Sequence, residues 1–158
     1  MNVPDVLLWG TIATLLLTTI TAGSVAAGLS RMSLPFILGT MVTSDRNRAP
    51  LYGFVLHVAV GLAMAFVYAA AFEAWERAEW WAGAIAGILH GLIVLIVMMP
   101  VLPGLHPRMA SEHHGPEPTR ALEPPGFMAL HYGRHTPIVA LVGHAVYGAV
   151  LGGFYSLA

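Results

Sequence analysis

Residues 56–70 read LHVAVGLAMAFVYAA, and residues 143–157 read GHAVYGAVLGGFYSL. In the first, His57, Gly61 and Tyr68 follow one another at intervals of four and seven. In the second, His144, Gly148 and Tyr155 do the same, 87 positions further on. Offsets of four and eleven return to one face of an α-helix, so each segment carries a stripe of imidazole, gap and phenol. Both are apolar and long enough to cross a bilayer. An ionisable group held inside a membrane needs a partner there. The pattern therefore points to a membrane protein built from two copies of one unit, with its chemistry near the histidines.

The surrounding sequence agrees. Of 158 residues, 57% are hydrophobic and only 9% charged, where soluble domains carry roughly 25% charged residues. Apolar runs at about 6–29, 51–72, 80–102 and 136–157 each approach the ~20 residues that a span requires. The fold expected is all-α: an integral membrane four-helix bundle made of two tandem helical hairpins in one domain. Repeat one covers 6–72 and repeat two covers 80–157. The amino-terminal run reads as a retained span, since no basic residue precedes it and it exceeds a signal-peptide core. Cysteine is absent, which excludes disulfides, thiolate ligands and cysteine nucleophiles. All seven cations are arginine, so Schiff-base and phosphate-loop lysines are excluded too.

Charge sets the expected orientation. Arg31, Arg46 and Arg48 lie in the first connection, and Arg108, Arg120 and Arg134 in the third. The second connection is short and acidic, with Glu73, Glu76 and Glu79 around Arg77. The positive-inside rule puts loops 30–50 and 103–135 in the cytoplasm and both termini outside. Trp75, Trp80 and Trp81 then belong to an outer interfacial belt. Two hairpins entering from one side are parallel repeats, related by a pseudo-two-fold along the membrane normal. The odd spans match as residues 9–14 and 82–87, and Leu17 stands where His90 would map. Residues 35–39 and 127–130 each precede an even span and read as short interfacial helices.

Small residues mark expected helix contacts. Gly83, Gly87 and Gly91 make two GxxxG steps, Gly148 and Gly152 a third, and Gly61 with Ala65 is its counterpart on span two. Span one offers Thr11, Thr14, Thr18 and Thr21 instead, whose hydroxyls can bond the preceding turn or a facing helix. Loop 103–135 is rich in proline and histidine, a composition that favours an extended chain.

Three groups of candidate site residues follow. His57, His144 and His90 fall at similar depth by a rise of about 1.5 Å per residue. They are candidates for a transition metal or haem, for a proton or substrate path, or for structural hydrogen bonds between helices. In the loop, Glu112, His113 and His114, with His106, His131 and His135, resemble short metal-binding tracts. The arginines are explained by topology and anionic lipid, and nothing argues for nucleic acid. No catalytic constellation can be assembled, and the span interiors lack Asp and Glu.

The run Leu56-His57-x-x-x-Gly61, the Met98-Met99-Pro100 triplet and the stretch from Gly143 to Gly148 together resemble a family of small bacterial four-span proteins with no assigned activity. That resemblance implies the four-span fold and a bacterial inner membrane. It implies no substrate and no functional residues. Three functions stay open at this point. The favoured one is a non-catalytic accessory or scaffold subunit, binding a membrane-protein partner, or a second copy of itself, through glycine-rich faces. The others are a metal- or haem-binding membrane protein and a small oligomeric transporter.

Overall fold

A computed structural model describes residues 1–111, 114, 115 and 117–158. Among these residues the chain is helical, and four helices are long and apolar enough to cross a membrane.

Helix α1, Val3–Ala26, is opened by the Asn2 side chain, which accepts from the Asp5 N–H at 3.4 Å, and by a proline in its first turn. Its threonines remain helical because their hydroxyls donate back one turn: Thr11 to Leu7, Thr14 to Gly10, Thr18 to Thr14. Helix α2, Leu34–Val42, is short. It does not lie flat at the surface but runs antiparallel to the first turns of α3, Ala49–Trp75. Pro35 faces Gly53 and Gly39 faces Ala49, so closely that a Cβ on either glycine would overlap the opposite backbone. The third span, Trp80–Leu105, consists of α4, Trp80–Ile93, a wide π-helical turn at Val94–Met98, and α5, Met99–Leu105.

This third span passes the end expected near residue 102 and contains Pro103. The wide turn explains why Pro100 does not end it. A proline ring clashes with the carbonyl four residues earlier, and a π-turn just before it moves that carbonyl away. Residues 127–130 also differ from expectation. They form a 3₁₀ turn, Phe127–Tyr132, interrupted by Met128 and Ala129 at φ of 53° and 57°. Two adjacent non-glycine residues in the left-handed region cost about 1–2 kcal/mol each, so packing must hold them; Ala129 is completely buried. The last span is α6, Thr136–Phe154.

The helices do not pack as a symmetric square. α4 lies along α6 and α1 packs against both α6 and α3, but α3 and α4, neighbours in sequence, barely touch. Buried side chains form two clusters. One gathers Leu17, Tyr68, Phe72, Tyr147 and Leu151 toward the end where α3 meets α4. The other gathers Met32, Ile37, Leu95, Met99 and Tyr132 toward the opposite end. The outward faces remain apolar and exposed, as at Leu16, Val55, Ile88 and Val142, which suits a lipid solvent. Trp75, Trp80 and Trp81 are exposed together at the α3–α4 turn.

The long loop is tied to the bundle. His106 donates from Nε2 to the Ile37 carbonyl at 3.0 Å, and the Arg108 guanidinium donates to the Thr40 carbonyl at 2.6 Å. A strand-like bridge joins Met109 to Leu122, and Arg31 grips Glu123 through both terminal guanidinium nitrogens at 3.0 and 3.3 Å. Tyr132 donates to the Glu123 carbonyl, and burial pushes its phenol up to about 12, with the Glu123 carboxylate adding to the shift.

Candidate functional site

The three span histidines meet. His57 is 7% exposed on α3, and with His90 of α4 and His144 of α6 it lines one cavity of about 200 Å³. The His90 and His144 rings pack edge to face, their centroids 4.8 Å apart. Tyr68 reaches His90 with its hydroxyl 3.4 Å from Nδ1. Leu34, Ile37 and Leu38 of α2 close the cavity at the end near the long loop. A second hollow of about 240 Å³ continues from it up the α3–α4 seam, and the two share Met64 and His90. The seam between these helices is thus an apolar groove opening from the histidine layer.

Local bonds fix the protonation pattern of two rings. The Thr18 hydroxyl has one proton, and it goes to the Thr14 carbonyl at 2.7 Å. Thr18 therefore accepts from His57, whose Nδ1 stands 3.1 Å away and must carry hydrogen. In His144, Nδ1 lies 2.7 Å from the Ala140 carbonyl, which can only accept, so that nitrogen is also protonated. Both imidazoles, when neutral, then keep the lone pair on Nε2. Neither Nε2 has a partner among the described residues, and neither is sealed from open space. Held Nδ1–H groups with available Nε2 atoms are the usual arrangement behind histidine ligands.

Tyr147 belongs to this site although the repeat did not single it out. Its hydroxyl donates to the Gly61 carbonyl at 2.6 Å, and its ring stands 5.4 Å from that of Tyr68. The signal was present: Tyr147 follows His144 by three and so shares its helix face. Tyr68 is 6% exposed and faces inward to His90. Tyr155 sits at the bundle end, donating to Glu73 at 2.5 Å and accepting from the Asn2 N–H at 3.0 Å. Burial, then the Glu73 bond, raises its pKa.

The loop histidines are dispersed. His106 is 1% exposed and held by Ile37 and Arg108. Burial lowers its pKa, and the nearby Arg108 and Arg120 charges lower it further against the Ile37 bond. His131 stands 2.9 Å from the Pro124 carbonyl, His114 3.1 Å from the Ser111 hydroxyl, and His135 precedes α6. Glu112 and His113 lie outside the described residues. Among the described residues, no group of three or more His, Cys, Asp or Glu is placed to hold a metal ion. Haem fits poorly at the span histidines as well. The cavity is below the ~300–1,000 Å³ of ordinary ligand pockets, and rings in edge-to-face contact leave no slot for a macrocycle.

The glycines face inward. Gly83 and Gly87 meet the backbone of α6 around Gly148 and His144, Gly91 meets the His144 side chain, Gly152 meets Glu79, and Gly61 meets Thr14. All six are buried inside the chain. This corrects the expectation that they offer a face to another protein, because the chain's own helices already occupy them. Comparison with protein-family models, with curated proteins and with solved structures finds no match to this chain.

Proposed function

We propose that this integral membrane protein binds a transition-metal ion at the histidine layer of its bundle. The observation that carries the reading is the pair of imidazoles, His57 and His144, each with Nδ1–H held and Nε2 without a partner among the described residues, both lining one small cavity. Imidazole nitrogen suits Zn, Cu, Fe and Ni. An ion needs no wide path, and a cavity of about 200 Å³ accommodates one with its ligands. His90 is the candidate third donor, since its ring already touches His144.

The rest of the reading places the protein in its membrane. The arginine-bearing loops face the cytoplasm, as their charge directs, and the resemblance to bacterial four-span proteins puts the membrane in a bacterium. The two hairpins are equivalent by descent. This is supported by matching contacts 73 positions apart on the odd spans and 87 on the even spans: Gly10 with Ala65 and Gly83 with Gly152, Thr14 with Gly61 and Gly87 with Gly148.

The test is elemental analysis of the protein purified in detergent without chelator, followed by titration with Cu, Zn and Ni. One ion per chain is expected, lost in the His57→Ala/His144→Ala variant while the helical spectrum is kept. A wild-type protein that takes up none of these ions would end the reading.

A further inference from the structure

The cavity contains sulfur as well as nitrogen. Met64 of α3 and the consecutive Met98 and Met99 at the start of α5 line the same space as the three histidines. Met98 and Met99 stand at the end of the wide turn Val94–Met98, and both residues line the cavity, Met99 buried and Met98 half-exposed. Turns of this kind are rare and concentrate at functional sites. Among the described residues no Asp or Glu lines the cavity; its polar groups are imidazoles, hydroxyls and backbone.

Two physical arguments then select the ion. Thioether sulfur is a soft donor and favours Cu(I), whereas imidazole alone discriminates little among first-row metals. All available donors are also neutral. A divalent cation would keep both charges at membrane depth with no carboxylate to offset them, and uncompensated charge there is costly. A monovalent ion carries half that charge and accepts low coordination.

We infer that the cavity binds Cu(I), ligated by His57 Nε2 and His144 Nε2 and by one or more thioethers among Met64, Met98 and Met99. The inference rests on the transition-metal reading above and names its metal. Such a site needs no third imidazole or carboxylate, because two imidazoles and sulfur suffice for Cu(I).

Full-length protein in detergent, kept under reductant, is titrated with Cu(I) against a chromophoric Cu(I) chelator and separately with Zn(II) against a Zn(II) chelator. Wild type is expected to take one Cu(I) and to bind Zn(II) at least about tenfold more weakly. Met64→Leu/Met98→Leu/Met99→Leu keeps side-chain volume. It should lose about tenfold or more in Cu(I) affinity and leave Zn(II) binding unchanged. X-ray absorption of the Cu(I)-loaded wild type should show both nitrogen and sulfur neighbours, a readout independent of how the triple variant folds. Zn(II) binding as tight as Cu(I), or a nitrogen-only copper site, overturns the copper assignment but leaves metal binding standing. Failure to bind any ion removes both.

Discussion

A single methyl group decides whether these helices can meet. Gly148 and Gly83 face each other across the α4–α6 contact so closely that a Cβ on either would overlap the other's backbone. Gly148→Ala must push two helices apart, and overpacking of this kind costs about 1–3 kcal/mol. Gly23→Ala lies in α1 with no atom near the new Cβ, so only helix propensity acts, and it should stabilise by about 0.5–1 kcal/mol. Thermal melts in detergent should therefore move in opposite directions for the two substitutions. A shared direction would contradict the packing. Tyr147→Phe removes a buried bond to the Gly61 carbonyl. It should cost about 0.6–1.7 kcal/mol, the range found for hydrogen bonds between membrane helices, by the same measurement.

At the scale of elements, the long loop is fastened to α2 by a neutral imidazole as well as by the Arg108 guanidinium. His106 donates from Nε2 to Ile37 and accepts the Arg108 N–H at Nδ1 over 3.1 Å. A proton at Nδ1 would abolish the second bond and place a cation beside Arg108 and Arg120. The docked imidazole thus has a lowered pKa, while a detached one titrates near 6.5. The detached state binds more protons below that value, so docking is complete above it and weakens as pH falls. Fluorescence anisotropy of a dye on Thr119→Cys should drop as pH goes from 7.5 to about 5.5. His106→Gln, which keeps a donor for Ile37 and cannot titrate, should flatten the curve. A wild-type signal indifferent to pH would refute this role for His106.

The molecule as a whole is a bundle closed on one seam and open on the other. α1 fills the space between α3 and α6, whereas α3 and α4 stand apart around the histidine cavity, with α2 folded into its lower end. Tyr147 and His90 line the cavity with rings, whereas Val60 and Leu17, 87 and 73 positions earlier, bring none to it. The proposed orientation can be read without interference, because the chain has no cysteine. A membrane-impermeant maleimide should label Glu79→Cys in intact cells and Asn47→Cys only after permeabilisation. The reverse result would invert the topology. The same reagent applied after metal loading would show whether filling the cavity alters access along the seam.

Local chemistry was sufficient for much of this. Hydrophobic length and scarce charge determined four spanning helices, because only a helix satisfies its own backbone in lipid. Helical period placed His57 with Gly61, and His144 with Gly148, on common faces. Which face met which neighbour was beyond the sequence. That α2 would fold back along α3, that Tyr68 would point inward, and that the six glycines would be used within the chain all depend on approach distances between segments far apart in sequence. The tautomer of His57 depends on the same thing, whereas that of His144 is set locally by the Ala140 carbonyl one turn earlier. Thr18 lies 39 positions from His57, and only the packing of α1 on α3 brings its hydroxyl to that ring. The sequence supplied the donors, and the tertiary structure decided which nitrogen of His57 remained available and which rings share a cavity.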